Sequence, residues 1–217
     1  MDLLPVLAYF LPIVFLAAFA GSLGQRSILY LAWGCAAAIP VFFLVPLLAE
    51  RFPEIVSPAV TLSPLLEEFF KALPLAISFM LGIRRDNREI LACAMATGIG
   101  FSIIENWMLF GPVHAGIIAL VIRSFSTTLM HGCTCAILGY GLVLIRDVHR
   151  AALPALLLGF YMVAVTVHAL FNLNALYLGT AGVIADLVFP VILFIFLLLC
   201  YHVDIPTLFG PEPDPRE

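Results

Sequence analysis

Long apolar stretches alternate along this chain with short clusters of glycine, proline and charge. The stretches fall at roughly 5–23, 28–49, 60–82, 89–110, 124–145, 151–176 and 181–203. The breaks are GSLGQRS, ERFPEIVSP, GIRRDNR, FGPVH, IRDVHR and NALYLGTAG, all of helix-ending composition. About 20 apolar residues in a helix cross the hydrocarbon core of a bilayer. The pattern therefore predicts an all-α, polytopic transmembrane helical bundle of about seven spans. The segment 113–122 (VHAGIIALVI) fits either an outward extension of the fifth helix or a short interfacial or re-entrant piece. Pro12, Pro40, Pro46, Pro64, Pro74, Pro154 and Pro190 fall inside or near the ends of spans, where neighbours must satisfy the freed carbonyls. Pro64 and Pro74 bracket a Glu-Glu pair, which predicts a distorted third helix.

Composition agrees with the pattern. The hydrophobic fraction is 63%, the charged fraction 11% and the mean hydropathy +1.12, whereas soluble domains are near 45–50% apolar and about 25% charged. Its 217 residues hold seven such spans and leave no room for a sizeable soluble domain. The net charge of −4 comes with no basic patch, so nucleic acid is not an expected partner. Cys35, Cys93, Cys133, Cys135 and Cys200 all read as small packing residues within the membrane. The start, MDLLPVLAYFLPIVFLAAFAG, lacks a basic leader and reads as a retained first span. Arginine sets the orientation. Arg26, the group Arg84, Arg85 and Arg88, and the pair Arg146 and Arg150 follow spans 1, 3 and 5, while the alternate loops hold Arg51 and, at the assumed start of span 5, Arg123. The positive-inside rule then puts the amino terminus outside and the carboxyl-terminal tail in the cytoplasm.

Against this background a few polar residues stand out because they lie inside the spans. They are Glu67, Glu68 and Lys71 in TLSPLLEEFFKALPLAISF, Glu105 and Asn106 in GIGFSIIENWMLF, His131 in FSTTLMHGCTCAILGYG, and His168 and Asn172 in YMVAVTVHALFNLN. Ionisable groups in lipid are costly and mark chemistry, ion pathways or mutual pairing. With alternating helix directions and 1.5 Å per residue, Glu67, Glu105, His131 and His168 all fall roughly 8–12 Å beneath the outer surface. Four antiparallel helices thus bring polar groups to one layer. Glu67 and Lys71, four apart, are expected to pair, while Glu68 is turned about 100° away toward another neighbour. Two carboxylates and one ammonium leave a charge to be balanced by a proton, a metal or Arg123. His168 and Asn172 share a helix face, so either is placed to donate to a developing oxyanion, or Asn172 to orient a metal-bound His168. His131 and His168, with Glu105 at the same depth, form an acceptable zinc set with water in the open position, although no HExxH run is present. Asp186 in span 7 falls near the same layer and reads as a supporting or helix-capping residue.

At these positions the chain resembles the PrsW family of intramembrane proteases, within a wider group containing the CAAX-processing and bacteriocin-immunity type membrane peptidases. The matching pieces are Glu67-Glu68-Phe-Phe-Lys71, Phe101-Ser-Ile-Ile-Glu105-Asn106, His131 with its following glycine, and His168-Ala-Leu-Phe-Asn172, in family order. Wider relatives commonly carry histidine where this chain has Glu105, which sorts it into the PrsW branch. The resemblance implies peptide-bond hydrolysis in a membrane-protein substrate, such as an anti-sigma factor, cut near the extracytoplasmic side of a bacterial or archaeal cell membrane. Carried over, Glu105, His131 and His168 are site residues and Glu67 or Glu68 activates water, by a metallo- or glutamate-type mechanism. Residues 1–203 then form one transmembrane catalytic domain with spans 3–6 as a four-helix core, Lys71 and Asn106 supporting it, and 204–217 a short acidic cytoplasmic tail. Two rival classes use the same residues. An ion-coupled transporter would show an internal repeat, and none is evident between spans 1–3 and 4–6. A non-catalytic membrane scaffold would have no need of both the Glu-Glu-Lys group and two histidines.

Overall fold

The computed structural model describes residue 12 and residues 25–83, 86–110, 117–145, 153–177 and 179–202. These residues form six helices: α1 (Gln25–Arg51), α2 (Leu62–Met80), α3 (Asn87–Phe110), α4 (Ile117–Ile145), α5 (Leu153–Tyr177) and α6 (Gly179–His202). No strand occurs among the described residues. Five of the helices are long and apolar enough to cross a membrane, so the protein is a multi-pass membrane protein. The sixth, α2, has 19 residues, among them Glu67, Glu68 and Lys71. Apart from residue 12, the expected first span lies outside the described residues, as does the acidic tail.

Two open points of helix shape are met in α4 and α2. Residues 117–122 belong to α4, so of the two descriptions the helix extension holds there, and Arg123 lies inside that helix instead of opening it. The segment 113–116 lies outside the described residues. Residues 62–80 run as one helix through both Pro64 and Pro74. Pro64 sits in the first turn of α2, where an N–H would have no helical partner in any case. Pro74 deprives the Phe70 carbonyl of its helical donor, and the Trp33 indole of α1 supplies one at 2.9 Å. The Tyr30 hydroxyl makes a second tie from α1, at 3.3 Å to the Pro74 carbonyl and 2.6 Å to Ser78 Oγ.

The bundle centres on α3 and α4, whose faces are mostly enclosed, while α1, α5 and α6 turn many large apolar side chains outward, as suits lipid. Small residues set the spacing at the centre. A Cβ on Gly34 of α1 would run into the Thr97 carbonyl of α3, and one on Gly98 of α3 would run into the His131 carbonyl of α4. Backbones approach this closely only where a side chain is missing. Hydroxyls and one amide complete the α3–α4 contact. Thr127 donates to the Arg123 carbonyl at 2.7 Å and accepts from Asn106 Nδ2 at 3.0 Å, and Ser102 meets Thr128 at 3.2 Å. Cys93, Cys133 and Cys135 are buried in this packing.

Candidate active site

Close packing at Gly98 delivers the His131 imidazole into the middle of the bundle, fully buried, where α2, α3 and α5 each present a polar residue. Lys71 Nζ lies 2.8 Å from His131 Nδ1, and Glu105 Oε2 lies 2.6 Å from His131 Nε2. An ammonium only donates, so Nδ1 accepts from Lys71 and the proton on Nε2 goes to Glu105. Both ring nitrogens of His131 are thereby engaged. The Lys71 ammonium also stands 4.9 Å from the centre of the Phe101 ring, a cation–π contact.

Lys71 pairs with Glu68 at 2.6 Å, and the expected i,i+4 partner Glu67 is left aside. The reason is rotation. Glu68 and Lys71 both point into the bundle toward α4 and α5, where Glu68 Oε1 also takes the His168 Nδ1 proton at 2.8 Å. Glu67 faces the side bounded by α1 and α3. Its Oε1 accepts from Ser63 at 2.5 Å, and its buried Oε2 has no hydrogen-bond partner. Across from that oxygen, at 3.6 Å, is His168 Nε2. With Nδ1 donating to Glu68, a neutral His168 presents a lone pair at Nε2. Two acceptors thus face one another in a buried site, which is stable only with a proton, a water or a cation between them.

Charge accounting separates the three carboxylates. Glu68 has Lys71, and Glu105 has Arg123 at 3.9 Å and is 18% exposed. Arg123 therefore balances Glu105 and not the Glu-Glu pair. Asp186 of α6 lies within electrostatic reach of Arg123 and not at a helix end, so its capping role is not realised. Glu67 is the buried carboxylate with neither Lys71 nor Arg123 as ion-pair partner.

Donor atoms of Glu67, His131 and His168 all lie within 4.8 Å of one another, a group able to hold a metal ion. Glu67 stands in this group, and Glu105, expected there, instead hydrogen-bonds His131 Nε2. The unpartnered Glu67 oxygen opposite His168 Nε2 fits such an ion, and Glu68 on His168 Nδ1 is the outer carboxylate that commonly orients a metal-binding imidazole. His131 would enter the group by giving up one of its two present contacts. Asn172 is not drawn in: its amide donates to the Ala59 carbonyl at 2.8 Å and ties α5 to the loop before α2. Asn106 stays one layer away, joining α3 to α4. Ser63 was not anticipated, and Phe101 entered only as part of the second family motif, with no role of its own. Each lies four residues before a site glutamate, Glu67 and Glu105 respectively, a spacing that puts both on the right helix face.

The result is a polytopic helical membrane protein with a buried acid–histidine–lysine centre inside its bundle. The chain matches the family model described as PrsW family intramembrane metalloprotease over residues 25–200, and it belongs to that family. It is thus a protease of the membrane interior, and membrane proteins are the substrate class this family implies. No curated protein and no solved structure is significantly similar to it.

Proposed function

We propose that the protein is an intramembrane endopeptidase with a zinc-dependent centre at Glu67, His131 and His168, and that Glu105 is its general base. The observation that carries this reading is the pair of acceptors, Glu67 Oε2 and His168 Nε2, facing each other at 3.6 Å in a buried site. The family description as metalloproteases supports it. A metal ion held by these three residues would polarise the scissile carbonyl and acidify bound water.

The remaining steps belong to the chain. Glu68, charge-paired with Lys71, fixes His168 with its Nδ1 proton inward, so that Nε2 always presents its lone pair to the site. Ser63 holds one oxygen of Glu67 and leaves the other directed at the reacting centre. Glu105 borders the same cavity as Glu67. It takes the proton of the attacking water and hands it to the departing amide nitrogen. The reading extends to topology. The centre lies toward the extracytoplasmic side, with the amino terminus outside, the tail cytoplasmic, spans 3–6 as catalytic core and a bacterial or archaeal cell membrane as setting. A membrane-anchored anti-sigma factor is one substrate of the required kind.

One observation favours a second reading. Both nitrogens of His131 are already bonded, which leaves a metal-free centre in which Glu67 is the base and a protonated His168 faces it. The two are separated by metal content and by which glutamate is essential. Purified protein is assayed for zinc and for cleavage of a membrane-spanning peptide, alongside Glu67→Gln, Glu105→Gln, His131→Ala and His168→Ala. In the zinc reading, Glu67→Gln and both histidine variants lose the metal, whereas Glu105→Gln keeps it and loses turnover at least a hundredfold. Active protein free of zinc, disabled by Glu67→Gln and tolerant of Glu105→Gln, establishes the second reading. Full cleavage in all four variants overturns both, because the activity would then not depend on this centre; no cleavage in the parent and all variants is what the scaffold predicts.

A further inference from the structure

Beside the centre, α1, α2 and α3 enclose a cavity of about 210 Å³, several times the ~30 Å³ share of one water. Its polar part is Ser63, Glu67 and Glu105; the rest is apolar, including Ala38, Val41, Val45 and Met108. At its rim Phe42 and Leu109 are 43% and 44% exposed on the apolar surface of the bundle. The space thus runs from lipid to the two carboxylates that face it. Its α1 wall has a second property. Pro46 lacks an N–H, so the Phe42 carbonyl has no donor within the helix, and both residues border the cavity. In α2 the equivalent carbonyl, that of Phe70, is taken by Trp33.

We infer that this cavity is a specificity subsite, which receives one apolar side chain of an unwound membrane-spanning substrate next to its scissile bond. The inference rests on the peptidase reading above. A substrate helix loses backbone hydrogen bonds when it unwinds, and exposed N–H groups inside a bilayer must find acceptors. The Phe42 carbonyl meets that need beside a pocket whose mostly apolar walls accept a leucine or phenylalanine and whose two carboxylates disfavour an acidic side chain. Val45 and Met108, on opposite helices, therefore set the size of side chain admitted.

The test reads binding apart from turnover. The full chain in lipid vesicles is mixed with peptides of about 20 leucine and alanine residues, flanked by lysines, in which a benzoyl-phenylalanine is moved along the sequence. At one stretch of positions the photoproduct should map to Phe42–Pro46 of α1 or Met108–Leu109 of α3. Its yield should fall at least tenfold in Val45→Phe and rise in Met108→Ala, both checked for unchanged melting. Crosslinks confined to other helices, no crosslink at all, or yields indifferent to two folded variants would overturn the subsite. Cleavage is scored in the same samples. Where peptides are cut, the residue preferred beside the bond should shift from large to small apolar side chains in Val45→Phe, and an unchanged preference counts against the subsite. Crosslinks at these positions without cleavage would leave the subsite standing as a peptide groove and remove the peptidase reading.

Discussion

Lys71 is the residue on which the centre turns, because one buried ammonium serves Glu68, His131 and the face of Phe101 at once. Lys71→Met leaves the Glu68 carboxylate buried without its counter-charge. Removing one member of a buried pair costs about 3–5 kcal/mol. The variant should therefore be less stable to unfolding by that margin, and turnover should fall because His131 loses the donor that fixes its tautomer. The double variant Glu68→Gln with Lys71→Met should recover much of the stability and none of the activity. A single variant as stable and active as the parent would show that the pair contributes nothing. At this scale the sequence was a good guide to residue types and a poor one to partners. Charges stranded in apolar runs announced Glu67, Glu68, Lys71, Glu105, His131 and His168. Helical spacing alone allows Lys71 to reach Glu67 or Glu68, and the choice is made by α4 and α5, which only the assembled bundle supplies.

The helices themselves were legible for the same reason that membranes are demanding: backbone groups must bond within each span, so apolar length reads directly as helix. Where length and polarity conflicted the reading weakened. The outward extension of α4 from Ile117 was one of two descriptions the sequence allowed, and the unbroken course of α2 past Pro74 depends on an indole from another helix. Contacts between elements rest on glycines that no periodicity singled out. At Gly98 the α3 backbone lies so close to the His131 carbonyl that an added methyl has no room. Gly98→Ala should force α3 and α4 apart at the level of the site. We expect a loss of about 1–3 kcal/mol in stability, typical of overpacking, and a fall in turnover of about a hundredfold, as small misplacements of reacting groups produce. Circular dichroism together with peptide cleavage checks both. Unaltered turnover in Gly98→Ala would mean that this contact does not position His131.

For the molecule as a whole, orientation is the property that composition argues and packing leaves open. The arginines after α2 should be cytoplasmic. Single cysteines at positions 88 and 54, placed in a variant lacking the native thiols, should be labelled by an impermeant maleimide from the inside and the outside respectively; the reverse pattern inverts the topology and moves the centre to the inner half. The charge load of α2 reaches further, into how the protein is made. Each charged residue at mid-span adds roughly 2.5–3.5 kcal/mol to the cost of insertion, and α2 carries three. It leaves the ribosome before His131 and His168, the groups that would settle its carboxylates, have been synthesised. A nascent chain ending after Gly82 should therefore hold α2 at the membrane surface, with position 82 labelled from the same side as position 54, and only chains that include α5 should bring it across. The groups of the centre are spread from Glu67 to His168. If the proposed centre is the working one, an unfinished copy is unable to cut its neighbours, and the membrane meets a working peptidase only after the fifth helix has arrived.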